Sequence, residues 1–187
     1  MIARERFDVI IAGGGAAGLS CALFLARAGV NVAVFDGAQS SLRRVAKVHN
    51  YLGFPEGVGG AELLDLGRRQ VERFGARCFD DQIAAVRKTS DGFEIDASGR
   101  SCTCTHFIIA SNKRTDLALQ LGLTLGGFGN KFVSVDAVGQ TPVAGCLAVG
   151  RITGLPSQAI ISAGHGAQVA IGLIQKIRGA YYVDHDT

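Results

Sequence analysis

Apolar residues along the chain fall into short unbroken runs separated by stripes at helical spacing, and that alternation predicts an α/β protein. Val9-Ile10-Ile11-Ala12 is one run, and Leu19, Ala22, Leu23 and Ala26 after it share one helical face. Asn31-Val32-Ala33-Val34-Phe35 is the next run. Runs that do not alternate with polar residues read as strands covered on both faces, the condition of a parallel sheet. A second stripe opens at about Gly60 with Leu63, Leu64, Gly67, Val71 and Phe74, keeps Glu62, Arg68, Arg69, Glu72 and Arg73 outside, and stops at Gly75. Ala76-Arg77-Cys78-Phe79 then reads as a third parallel strand. Residues 83–89, 93–97 and 101–109 read as three more strands; Asp91-Gly92 and Ser98-Gly99 are short turns between them, so these three predict an antiparallel meander. Residues 111–130 carry no clear period and read as a connector, followed by short strands over 132–136 and 142–149. A helix over 157–178 closes the pattern. Its Ala159, Ala163, Gly164, Gly166, Ala167 and Ala170 leave little bulk, so something flat or extended can lie close to its first turns.

Within this frame Gly13, Gly15 and Gly18 stand in the spacing G-x-G-x-x-G between the first strand and the first helix. Gly13 permits the tight turn, Gly15 lets backbone approach a pyrophosphate, and Gly18 lets the helix lie against the strand. The helix start offers unpaired N–H groups and the positive end of its dipole to the phosphates. Asp36 closes the second strand, 18 residues past Gly18. A carboxylate there can accept both hydroxyls of an adenosine ribose and repels a 2′-phosphate.

Composition narrows the partners. The 187 residues, 48% hydrophobic and 19% charged, suit one compact domain. A net charge of +3 with dispersed Lys and Arg gives no nucleic-acid stripe and no polybasic membrane patch. No apolar stretch approaches the ~20 residues that cross a bilayer, so a cytoplasmic location is expected. The five cysteines include no Cys-x-x-Cys and fit a reducing compartment. Cys21 and Cys146 read as buried thiols. Cys102, Cys104 and His106 alternate with polar residues, which places them on one face; three ligands and a strained one-residue disulfide favour plain strand packing, so no metal is expected.

The order of these parts resembles the FAD-binding half of the low-molecular-weight thioredoxin reductase family. The match rests on four segments: residues 8–36; His49-Asn50-Tyr51-Leu52-Gly53-Phe54-Pro55-Glu56-Gly57 with the helix after it; Phe107-Ile108-Ile109-Ala110; and 141–150 running into Ser157-Gln158-Ala159-Ile160. The resemblance implies a Rossmann-like FAD-binding three-layer domain with a parallel central sheet and an antiparallel β-meander. Residues 1–112 and 130–178 would form its core, 113–129 the connector where the family inserts an NAD(P)H domain, and 179–187 a mobile tail. It implies FAD as cofactor, with Gly13, Gly15, Ala16, Ala17 and Gly18 at the pyrophosphate, Asp36 at the ribose, the Ile83 backbone at the adenine and Asn50 near the flavin. Ala110, Ser111 and Asn112, with Gly150 and Arg151, would complete the binding site. Gln158 and Ala159 would face the pyrimidine side of the isoalloxazine, where the helix dipole favours reduced flavin.

Departures from the family pattern are equally specific. The connector is too short for the inserted domain, and the family's dithiol is missing. Ala110-Ser111-Asn112 replaces Ala-Thr-Gly, and Gly150-Arg151 replaces Gly-Asp near the ribityl chain; Arg151 cannot accept a hydrogen bond there, though a guanidinium near two phosphates could compensate. The reading is a minimal FAD-dependent oxidoreductase that receives electrons from a redox partner protein, a thiol or a small-molecule substrate, with a homodimer as a further arrangement. A non-catalytic FAD or adenine-nucleotide module is the alternative, and an NAD-binding protein is a third. No catalytic side chain is assigned; His49 and His165 are the histidines to test as proton donors.

Overall fold

The computed structural model describes residues 4–183. Strand β1 (Glu5–Ala12), helix α1 (Ala16–Arg27) and strand β2 (Val32–Phe35) form the opening unit, with Val9 opposite Val32 and Ala12 opposite Phe35 in a parallel ladder. Helix α2 (Gly60–Arg73) returns the chain to β3 (Arg77–Phe79), parallel to β2 at the sheet edge. Strands β4 (Ile83–Thr89), β5 (Gly92–Ala97) and β6 (Arg100–Ile109) make the predicted meander. Beyond β6 come α3 (Asp116–Gln120), β7 (Leu125–Gly126), β8 (Phe132–Val133), β9 (Cys146–Ala148) and α4 (Ala159–Arg178).

Strand β6 joins the two kinds of sheet. One edge runs parallel to β1 from Cys102 opposite Glu5 to Ile109 opposite Ala12. Along the other edge its first half pairs antiparallel with β5 and its last three residues pair parallel with β9. Parallel strands and meander are therefore one sheet, in the order β3-β2-β1-β6-β5-β4 with β9 beside β6.

Both faces are covered, which is why the strand sequences are unbroken apolar runs. Val9, Ile11, Val34 and Ile108 pack under α1, α2 and α4 through Leu25, Leu64, Val169 and Leu173. Ile10, Phe35, Phe107 and Ile109 pack on the other side with Ile83 and Ile95 of the meander and Leu117 of α3. Truncating one such side chain, for instance Leu25→Ala, removes about 2–5 kcal/mol, a large share of a domain's ~5–15 kcal/mol.

Several expectations are corrected. The connector is not without structure, since α3 lies in it and β7 pairs with β8 in a separate two-stranded ribbon. The strand predicted over 132–136 stops at Val133: the Asp136 carboxylate accepts the N–H groups of Val138 and Gln140 at 3.0 and 2.8 Å and turns the chain. The strand predicted over 142–149 shrinks to Cys146–Ala148, because Pro142 has no N–H to give and Gly145 turns with φ 82. The helix predicted from Ser157 starts at Ala159.

Cys102, Cys104 and His106 do not share a face. Both thiols lie in the meander-side core, whereas His106 lines a cavity with Ile174 and Ile177 of α4. The cause is an irregularity at Asp8, where the N–H groups of Asp8 and Val9 both donate to the Asn31 carbonyl. Phe7 consequently shares a core with Ile10 rather than with Val9, and β6 follows β1 in register. In the stretch read as a tail, Tyr182 is buried with the Arg178 guanidinium over its ring; the mobility predicted for residues 184–187 lies outside the described residues.

Candidate functional site

The turn from β1 into α1 is built where three strands end. Gly13 donates its N–H to the Phe35 carbonyl at 2.8 Å and takes φ 121; a Cβ on it would strike the Ala110 carbonyl oxygen. A Cβ on Gly18 would strike the Gly13 carbonyl oxygen, so α1 can start where it does only with glycine there. The helix is capped by Gly15 with no side-chain hydrogen bond and no acidic residue in its first turn. Its first N–H groups are left to a ligand, and an anion is the ligand that the dipole favours.

Asp36 stands beside this turn. One carboxylate oxygen accepts the Ala38 N–H at 3.0 Å, and the other lies 3.9 Å from the Arg43 guanidinium. A Cβ on Gly14 would come within 2.6 Å of the Asp36 Cβ, so Gly14 is what lets the turn touch the acid.

Two cavities meet over the start of α1 and share Gly15, Ser40, Ala110 and Asn112. The first, about 210 Å³, extends past Asp36 to Gln82, Ile83 and Leu117. The second, about 190 Å³, extends past Arg151 to Gln158, Ala159 and Ser162 at the start of α4. Together they form one trough that crosses the helix start. Its far end is fastened by the Asn50 amide, which donates to the Gln158 side-chain oxygen at 2.9 Å. No side chain caps α4 either, and its first turn has no acidic residue.

Nearly every residue expected at the site is brought together here. Gly13, Asp36, Ile83 and Ser111 line the first half, with Gly15, Ala110 and Asn112 common to both halves. Ala16, Ala17, Arg151, Gln158 and Ala159 line the second. Asn50 reaches it through Gln158, while Gly18 and Gly150 shape the walls by close contact. Sequence reasoning missed Gly14, Gln39, Ser40 and Gln82, which also line the first half. The unbroken triplet Gly13-Gly14-Gly15 was the available signal for the first of these. Gln39 and Gln82 meet only in three dimensions, by an amide hydrogen bond of 2.8 Å.

Neither histidine lines the two cavities. His49 is exposed and outside the lining of both cavities. His165 is already used: its Nδ1 accepts the Gly150 N–H at 3.0 Å and holds the left-handed turn at φ 74. Burial pushes the His165 pKa below its ordinary 6.5, and burial does the same to His106. Depressed imidazoles bind fewer protons in the fold than in the unfolded chain, so their contribution is complete above pH 6.5 and is lost as pH falls through the folded values. Melting temperature should therefore drop from pH 7 to pH 5. His165→Gln, whose amide oxygen can accept the same N–H, should flatten that slope; an identical slope in the variant would remove His165 from the account. Thiol chemistry is equally suppressed, since burial pushes Cys21, Cys104 and Cys146 up to about 12.

Glycine turn, terminal acid and a trough ending at a second uncapped helix define a dinucleotide-binding domain of the flavoprotein class. Residues 8–45 match the family model described as FAD binding domain. Over 120 residues the chain is 33% identical to NADPH-dependent thioredoxin reductase 3 of Arabidopsis thaliana, covering 61% of this chain and 22% of that protein. Thioredoxin reductase 1, mitochondrial, of the same plant is 29% identical over 185 residues, 94% of this chain and 47% of the relative. The chain thus spans less than half the length of these relatives. Among solved structures, a thioredoxin reductase from Gloeobacter violaceus superposes with TM-score 0.89 at 17% identity over 99% of both chains. A ferredoxin-flavin thioredoxin reductase from Clostridium acetobutylicum superposes with TM-score 0.77 at 17% identity over 95% of this chain and 100% of that one. In sequence the chain is similar to thioredoxin reductases, its opening unit matches the FAD-binding family model, and its fold is theirs. Its own residues fit that cofactor: Gly13, Gly14 and Gly18 leave no room for a Cβ, two helix starts lack side-chain caps, and the buried Arg151 Nε has no partner. No described helix is long and apolar enough to cross a membrane.

Proposed function

We propose that this chain is the flavin half of an oxidoreductase, supplied with electrons by a reduced partner protein, a thiol or a small-molecule substrate in a reducing, cytoplasmic setting. The observation that carries the reading is the pair of adjoining cavities from Asp36 to Gln158 across the start of α1, which supports an adenosine at one end and a flavin ring at the other. Bound FAD supplies the redox chemistry; the protein's part is to bind, orient and polarise. Asp36 would hold the ribose through the carboxylate oxygen not bonded to Ala38, the first N–H groups of α1 would hold the pyrophosphate, and the α4 start would face the ring with its positive dipole end. Asn50 keeps Gln158 in place for that contact.

The mode of reduction rests on the connector. Between β6 and β9 stand only α3 and the β7–β8 ribbon, with no strand-glycine-helix unit to hold a nicotinamide. The buried high-pKa thiols support the same reading, since they offer no dithiol relay. The Clostridium fold neighbour is named for ferredoxin and flavin, and a carrier protein of that kind is the donor class the reading favours.

One observation favours a second reading, a nucleotide-binding module without catalysis. Asn112, held at φ 60, lines both halves of the trough and donates its amide to the Ser41 hydroxyl at 3.3 Å, which narrows the passage between them. A visible spectrum of the purified protein decides. Oxidised-flavin absorption bands, or their appearance with a rise in melting temperature after incubation with FAD, are expected. Protein that stays colourless with excess FAD but is stabilised by ADP would leave the nucleotide module in its place.

A further inference from the structure

We infer that Arg151 is a phosphate ligand of the trough, pairing with the pyrophosphate of the bound dinucleotide where the related reductases place an acid near the ribityl chain; this rests on the FAD reading above.

The chain passes Arg151 directly over the first turn of α1. Its neighbour Gly150 lies so close to Ala17 that a Cβ there would come within 2.7 Å of the Ala17 Cβ. Gly150 is fixed in that place by its N–H bond to His165 Nδ1 and by the Thr153 hydroxyl, which donates to the Gly150 carbonyl at 2.8 Å. Arg151 therefore starts from a held backbone and lines the trough with Gly15, Ala16 and Ala17, whose N–H groups are the other phosphate donors.

The guanidinium has nothing to bind within the described protein. Its Nε is buried without a hydrogen-bond partner, and no ion pair or hydrogen bond engages its side chain among the described residues. An arginine held among helix N–H groups without a counter-ion is electrostatically incomplete. Charge along the trough agrees. Among the described residues Asp36 is the only carboxylate lining either half, against Lys113, Arg114 and Arg151, and Arg114 is already paired with Asp116 at 2.5 Å. The ligand that completes the site carries more than one negative charge in its middle, at the α1 start, and a planar guanidinium matches two phosphate oxygens at once.

Two chemistries are separable at this position. A residue that serves the ribityl hydroxyls needs an acceptor, and aspartate would improve on arginine. A residue that serves the pyrophosphate needs a cation, and aspartate is the worst replacement.

The test is titration of the full chain and of Arg151→Met, Arg151→Lys and Arg151→Asp with FAD and with ADP, at low and moderate salt. Ligand-free melting curves of the variants control for folding. Arg151→Met should lose about tenfold to a hundredfold in affinity for both ligands, the value of a charge-assisted hydrogen bond. Arg151→Lys should recover part of the loss, Arg151→Asp should be weaker than Arg151→Met, and the salt dependence of the wild type should flatten in the Met variant. Wild-type binding matched by Arg151→Met, or tighter binding by Arg151→Asp, overturns the assignment and leaves the FAD reading standing. A wild type that binds neither FAD nor ADP removes both.

Discussion

Anaerobic mixing of the FAD-loaded protein with NADPH or NADH should bleach the flavin slowly, with a rate that rises linearly with nicotinamide concentration and does not saturate. Holding two reactants in register contributes roughly 7–11 kcal/mol toward a barrier, and nothing in the segment between β6 and β9 can hold a nicotinamide against the α4 end of the trough. Without a site the reaction falls to chance encounter, orders of magnitude slower. Dithionite, a small thiol or a reduced carrier protein should bleach the same sample faster. Stopped-flow spectroscopy at the flavin band makes the comparison. Rapid, saturating reduction at micromolar NADPH would mean that a nicotinamide site exists, contributed for instance by a second copy of the chain.

Replacing Gly18 with alanine should be among the most damaging single-methyl changes in the domain. The added Cβ meets the backbone carbonyl of Gly13, which is itself wedged against Ala110, so neither partner can move without parting α1 from β1. Overpacking costs about 1–3 kcal/mol, and more where backbone must shift. At ~2–4 °C per kcal/mol for a chain of this size, melting should fall by roughly 6 °C or more, with FAD binding lost alongside. Gly164→Ala is the internal contrast. That position lies inside α4, is exposed, and has nothing within 4 Å of a new Cβ, so the variant should gain about 0.5–1 kcal/mol. Equal melting temperatures for the two variants would refute the steric account.

The β1-α1-β2 unit was legible because each of its signals is local. The apolar runs, three spaced glycines and Asp36 lie within one short stretch, and each is needed by the contact it makes. Elements were misread where one side chain or one missing N–H overrides a pattern. Asp136 turns the chain with its carboxylate, Pro142 withholds a donor, and α3 is too short to display a period. The site was legible at its glycines and at Gln158, whereas Gln39, Ser40 and Gln82 depend on which loops meet above Asp36. The face of His106 was out of reach for another reason: the irregularity at Asp8 lies in the neighbouring strand, opposite the point where β6 leaves β5 for β9.

The packing of α4 on α1 also sets a schedule. Gly166 of α4 sits so close to the Ala17 carbonyl that no side chain could stand between them, and Val169, Ala170 and Leu173 close the apolar core above β1. On the ribosome α1 is complete roughly 130 residues before α4 begins. At about 5–20 residues per second the bare face of α1 waits on the order of ten seconds for its cover. Over that interval the nascent domain exposes an apolar surface beside an unfinished sheet edge, where β6 still lacks β9. Slower synthesis lengthens that exposure, whatever the stability of the finished fold.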